Sequence, residues 1–237
     1  MAVIAMMMTI SASAQFYIYC SDGNVIKVDS ISMIAPNTGA TGSENGYEYV
    51  DLGLSVKWAT CNVGATKPED YGDYFAWGET QPKGTYNWRT YKYCNDSSSS
   101  LTKYCTYSSY GTVDNKTQLE LDDDAARANW GGSWRMPTDA ELTELREQCT
   151  WTWISQNGVT GYKVTGINGN SIFLPAAGCR DGSSLSSAGG IGDYWSSSLY
   201  TVSPSSACGV GFYSGSVYKG SSCSYRYSGH SVRPVCQ

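Results

Sequence analysis

Few residues in this sequence are equipped for covalent or metal chemistry. His230 is the only histidine, and nine cysteines stand at positions 20, 61, 94, 105, 149, 179, 208, 223 and 236. Metal sites that can be read from sequence place Cys or His in closely spaced pairs, and no such spacing occurs here. Zinc, haem and iron–sulfur chemistry are therefore unsupported, and no metal or cofactor is expected. A thiol mechanism would have to draw on Cys179 in "AAGCRDG" or on Cys236, yet no residue that would lower a thiol pKa is readable beside either. A Ser/His/Asp hydrolase would depend on His230 alone. The acidic triplet Asp122–Asp124 opens a run of helix formers, so it reads as a solvated helix start at the positive end of the helix dipole rather than a cation site. An odd cysteine count precludes complete internal pairing; Cys94 and Cys105, flanking a Ser-rich segment, can close one loop.

Recognition chemistry is better represented. From Leu199 to His230 the chain is dominated by Ser, Tyr and Gly, with no Asp or Glu and one Lys. Such text often marks a flexible linker. Here Val210 and Phe212 alternate with Gly209, Gly211 and Tyr213, and after a Ser214-Gly215 turn Val217 falls on the apolar side again. Ser216, Tyr218 and Gly220 then look outward. With Trp195 before it and Val232-Arg233-Pro234 after it, the stretch reads as folded. Tyr supplies large contact area at low entropic cost, and Ser and Gly let loops adapt. Tyr213, Tyr218, Tyr225, Tyr227 and Arg226 are the expected energetic anchors of a binding surface.

The remaining sequence must build the frame for that surface. A chain of 237 residues with 16% charged and 13% aromatic residues suits one loop-rich domain with β content and a short appendage. The net charge of −5 and the lack of a Lys/Arg run offer no phosphate-neutralising patch, so nucleic acid is not expected as a partner. Residues 1–14 read as a signal peptide, possessing an apolar run followed by Ala12-Ser13-Ala14 but no basic n-region. That run is too short to span a bilayer, so an exported, secreted or surface-displayed protein without a membrane span is expected. Residues 15–36 read as a β-hairpin turning at Ser21–Asn24, and 37–46 as a linker. The main domain, 47–237, opens with Val50, Leu52, Leu54, Val56 and Trp58 in strand-like alternation. Residues 85–111 show little periodicity and read as a long surface excursion. Helices are expected only at "LDDDAARANW" and at "TDAELTELREQC", where Thr138 and Glu141 form a capping box and Leu142, Leu145 and Cys149 form the buried stripe. "YKVTGINGNSIFLPAAG" reads as a hairpin turning at Asn168–Asn170. The fold class is α+β, with helices grouped between β segments.

Four segments stand in order: "GGSWRMPTDAEL", "IFLPAAGCRDG", "GDYWSSS" and "GHSVRPV". Together they resemble a C-type-lectin-like fold, in the branch shared by formylglycine-generating enzymes and a group of Bacteroides surface proteins. The upstream "YVDLGLSVKWATCNVGAT" and "YGDYFAWGET" resemble the Fibrobacter succinogenes major paralogous domain. The resemblance covers roughly residues 47–237 and implies two helices around a small mixed or antiparallel sheet with long loops. Trp134, Arg135, Pro137, Trp195 and Arg233 read separately as structural residues, through aromatic packing and an arginine satisfied by backbone carbonyls.

The last segment, about 194–235, is most similar to the variable region of diversity-generating retroelement proteins, in which template adenines are mutated during copying. Randomising the first two bases of an Asn codon leaves Trp, Met, Gln, Lys and Glu unreachable, and between Leu199 and His230 only Lys219 belongs to that excluded set. The resemblance implies that Tyr200, Ser206, Cys208, Gly209, Gly211, Tyr213, Ser216, Tyr218, Gly220, Ser221, Ser222, Cys223, Tyr225, Tyr227 and His230 are exposed and variable. The function it implies is non-catalytic binding of a variable protein or glycan ligand on another cell or phage. The alternatives are an undiversified paralogous surface or adhesion domain and an enzyme of the formylglycine-generating type. Calcium-dependent sugar binding is disfavoured: the Glu-Pro-Asn, Gln-Pro-Asp and Trp-Asn-Asp triplets of sugar-binding C-type lectins are missing.

Overall fold

The structure, a computed structural model, describes residues 16–19, 25–28, 41–219 and 224–237. The expected signal segment, the turn at 21–24, and Gly220, Ser221, Ser222 and Cys223 lie outside the described residues. The chain divides into two compact units, Met1–Thr38 and Gly39–Gln237. In the first, β1 (Phe16–Tyr19) and β2 (Val25–Val28) pair antiparallel with Phe16 opposite Val28, as the hairpin reading of 15–36 anticipates.

The second unit begins inside the expected linker. Strand β3 (Thr41–Glu44) pairs antiparallel with β4 (Tyr47–Val50) across Asn45-Gly46. Both turn residues have positive φ, 48° and 84°, as a two-residue Asn-Gly hairpin requires. Residues 41–46 are thus a hairpin arm and turn, a correction to the linker reading of 37–46. The alternation from Val50 to Trp58 predicts burial well, since Val50, Leu52, Val56 and Trp58 are all buried and Leu54 is half-buried. It does not form one strand: the chain bends through 53–56 before β5 (Lys57–Ala59).

Residues 85–111 also depart from expectation. They are irregular, yet Tyr86, Tyr91, Tyr93, Leu101, Tyr104 and Cys105 are buried in the core. Asp123 explains much of this order. Its carboxylate accepts hydrogen bonds from the hydroxyls of Tyr93 and Tyr104 (the latter 2.7 Å) and from the Lys103 ammonium. Asp124 is buried too: it caps α1 (Ala125–Trp130) by accepting from Arg127 N at 3.0 Å, and it accepts from Met136 N at 2.8 Å. The triplet therefore mostly points inward, to internal donors, instead of being solvated. Cys94 and Cys105 are free; their thiols donate to the carbonyls of Trp88 (3.0 Å) and Tyr107 (3.2 Å), so the expected bridge is not formed.

Burial raises the Asp123 pKa, but the bonds from Lys103, Tyr93 and Tyr104 outweigh it and pull the group from 3.8 to about 2. A carboxylate depressed in the folded state contributes stability above its unfolded pKa and loses it as pH falls through the folded one. Wild-type protein should therefore lose thermal stability between about pH 4 and pH 2. Asp123→Asn, about 2 kcal/mol less stable at neutral pH, should lose less over the same interval. Thermal unfolding of the two proteins across that range checks this.

Helix α2 (Asp139–Gln148) carries the anticipated capping box: Thr138 accepts from Glu141 N and Glu141 reaches back to Thr138 N. Glu141 also receives both guanidinium arms of Arg135, at 2.8 and 2.6 Å. Leu142 and Leu145 are buried, and Cys149 is half-buried at the helix end. There follow β6 (Thr150–Gln156), β7 (Val159–Thr165) and β8 (Ser171–Pro175), an antiparallel meander whose second turn contains Asn168–Asn170. Then come β9 (Cys179–Asp181), β10 (Ser184–Ser186), β11 (Ile191–Leu199), β12 (Ser206–Tyr213), β13 (Ser216–Lys219), β14 (Ser224–Tyr225) and β15 (Val235–Cys236). The sheet order β15-β5-β4-β3 brings the C-terminus back to the start of the unit.

The class is α+β, largely antiparallel β. Two apolar clusters flank the long strands. β11 sends Tyr194 into one, with Phe212, Val210, Tyr162 and Leu142, and sends Trp195 into the other, with Trp77, Trp134, Phe75 and Ala207. Period-2 alternation on one strand thus serves two cores. Among the described residues no helix is long and apolar enough to cross a membrane.

Candidate ligand-binding face and the cluster beside it

The segment opened by Leu199 is fixed at three places, the second of them just beyond its C-terminal end. The first is the β11–β12–β13 ladder, where Val210 and Phe212 are buried as expected and Val217 packs partly against the same core. The Tyr162 hydroxyl adds a clasp at the hairpin turn, donating to Tyr213 O and accepting from Gly215 N, both at 3.2 Å. The second is Arg233, fully buried: Nε donates to Asn62 Oδ1 (2.9 Å), and the terminal nitrogens donate to the carbonyls of Ala59, Thr60 and Phe173 at 2.9–3.0 Å. Its structural reading therefore holds.

The third is Arg226, and here the structure corrects the expectation of an exposed anchor. Arg226 is 0% exposed. Nε donates to the Tyr91 hydroxyl (2.8 Å), and the terminal nitrogens reach the carbonyls of Tyr104, Pro204 and Lys103, each at 3.0 Å. Its guanidinium lies over the faces of Trp77 and Tyr91, 5.0 and 5.2 Å from the centroids. Its backbone is held as well, by Arg226 N donating to Ser205 O and Trp77 N donating to Arg226 O. With the middle residue turned inward, Tyr225 and Tyr227 on either side are turned out.

Two aromatic groups result. Tyr225, 52% exposed, stacks on half-buried Tyr227 at 5.5 Å, and Trp88 stands edge-on to both at 5.8 and 5.0 Å. Trp88 was hidden in the unperiodic 85–111 segment and had no sequence signal beyond being an aromatic in a polar stretch. At the far end of β12, Tyr213 is 48% exposed with half-buried Tyr218 6.0 Å from it. Ser216, Tyr200 and Cys208 are half-buried.

Four of the expected exposed positions are corrected. Ser206 is buried at the start of β12, where it pairs with Tyr225. A Cβ on Gly209 would lie 2.3 Å from the Tyr194 carbonyl oxygen, so a backbone contact holds this position to glycine. Gly211 is buried beneath the Tyr218 ring, which a Cβ would meet at 2.4 Å. His230 is buried, its imidazole stacked on Trp195 at 4.0 Å and 14°, its backbone paired with Phe75.

The same sheet face carries something that sequence spacing concealed. In register across it run Tyr218, Gly211 and Asp193, with Gly209 and Trp195 the next pair along. Beside Asp193 lie Cys179 and His230, and the ligand atoms of these three residues all fall within 4.8 Å of one another. Burial raises the Asp193 carboxyl to about 6 and lowers the His230 imidazole to about 3. Burial also raises the Cys179 thiol, with the charges of Asp193 and Asp181 acting in the same direction. Asp193 could have been placed on this face by its alternation with Tyr194, but its neighbours could not. Comparison of the chain with protein-family models, with curated proteins and with solved structures gives no match.

Proposed function

We propose that this chain is a non-catalytic, exported ligand-binding protein with a C-type-lectin-like fold, whose C-terminal face is diversified by a retroelement and engages protein or glycan ligands. The observation that carries this reading is the presentation of Tyr213, Tyr218, Tyr225 and Tyr227 on a backbone held from below by Arg226 and Tyr162. Rigid support matters because a tyrosine held in place loses little entropy on contact, so more of its burial appears as affinity. Side chains at Tyr200, Ser216, Tyr213, Tyr218 and Tyr225 can change without entering the two cores, whereas Tyr227 packs partly against one of them. Ser206, Gly209, Arg226 and His230 belong to the scaffold instead.

The test is the DNA around the gene. The reading predicts a near-identical repeat of the C-terminal coding region with adenines at the codons of the outward residues, together with a reverse-transcriptase gene. A locus without such a repeat removes diversification and leaves an undiversified surface domain.

A further inference from the structure

Cys179, Asp193 and His230 come from three separate segments, and each is positioned by backbone bonds that do not involve its side chain. Strand β9 is tied to the C-terminal segment by paired bonds between Arg180 and Gly229, at 2.8 and 2.9 Å. That segment is tied to Phe75 through His230 at 3.0 and 3.1 Å, and to β11 by Ser231 N donating to Asp193 O at 3.2 Å. The stacking on Trp195 fixes the plane of the imidazole. Among the described residues, none gives the Asp193 carboxylate a hydrogen bond or an ion pair. A carboxylate taken partly out of water with no donor is costly, and a proton or a cation must answer it.

We infer that Cys179, Asp193 and His230 bind a divalent transition-metal ion, zinc being the one suited to a thiolate, a carboxylate and an imidazole together. Thiolate and carboxylate supply two negative charges and the neutral imidazole none, so a divalent ion leaves the half-buried cluster uncharged. A tetrahedral ion with ordinary bond lengths sets its donors about 3.3–3.8 Å apart, so groups that all lie within 4.8 Å of one another need to close by about 1.5 Å at most. Three protein ligands leave a fourth position for water or a ligand atom. Asp193 lies two strands from Tyr218, roughly 10 Å at the usual interstrand spacing, on the face that Tyr218 shares. The competing reading is a Cys–His–Asp nucleophile. The two readings differ in metal uptake and in the reactivity of Cys179, and the experiment reads both. The metal inference stands independently of the proposed ligand binding.

The experiment is Co2+ and Zn2+ titration of the full chain, reduced and stripped of metal. The expected result is one equivalent of Co2+ bound with thiolate charge-transfer and tetrahedral d–d absorption, its displacement by Zn2+, and a higher Tm with Zn2+ present. Cys179→Ser should abolish the charge-transfer band, which separates this site from the other cysteines. Should that variant not fold, near-isosteric Asp193→Asn should still weaken Co2+ binding at least tenfold. A chain that takes up no stoichiometric metal overturns the inference, as does an unchanged spectrum in folded Cys179→Ser or unchanged affinity in Asp193→Asn. Rapid alkylation of Cys179 without metal uptake overturns it in favour of the nucleophile.

Discussion

Arg226→Met should lower the free energy of unfolding by about 3–5 kcal/mol, because several buried acceptors lose their donor at about 1–3 kcal/mol each. Arg226 is 0% exposed and donates to the Tyr91 hydroxyl and to the carbonyls of Lys103, Tyr104 and Pro204. Methionine fills much of the volume and keeps the contact with Trp77, so the loss reports stranded acceptors more than a cavity. Lysine is not an adequate substitute: one ammonium has three donors and no planar fork to span acceptors on three segments. The stranded carbonyls lie in 103–104 and at 204, so the effect should extend to the loops packed around Tyr225 and Tyr227. Urea unfolding measures the stability. A change below about 1 kcal/mol would mean that water can replace the guanidinium and that the clamp is dispensable.

What could be read from the sequence followed the range of the contacts involved. Capping of α2 by Thr138 and Glu141 is local, and it was legible together with the Leu142/Leu145 stripe. So was the inward alternation of Val210 and Phe212, because a half-covered strand writes its two faces into neighbouring residues. The 85–111 segment was misread because its order comes from distant partners: Asp123 gathers Tyr93, Lys103 and Tyr104, while Asp114 receives the backbone NH groups of Tyr104 and Cys105. No hydrophobic period announces such an arrangement. Arg226 illustrates the same limit, since arginine in Ser/Tyr/Gly text is ordinarily exposed and only the carbonyls facing it bury it. The Cys179–Asp193–His230 cluster was least legible. Metal spacing can be read when ligands share a turn or a helix, but not when three segments each bring one.

The second large effect concerns recognition. Tyr213, Tyr218 and Tyr225 sit outside both cores, the first and last about half exposed. Replacing all three with Ala removes the Tyr213–Tyr218 contact and the contacts of Tyr225 with Tyr227 and Trp88, aromatic pairs worth about 0.5–1.5 kcal/mol each, so Tm should fall by roughly 3–15 °C with a cooperative transition retained. Tyrosines at an interface centre commonly contribute about 2 kcal/mol or more each, which places the loss of affinity beyond about 100-fold even without full additivity. The measurement pairs wild-type protein with this triple variant against a panel of glycans and bacterial surface proteins, with thermal unfolding of both. The predicted result is that every ligand captured by the wild type is lost by a variant that still unfolds cooperatively. Capture undiminished in the folded variant would contradict a binding face built from these tyrosines, and collapse of the fold would show that they belong to the core.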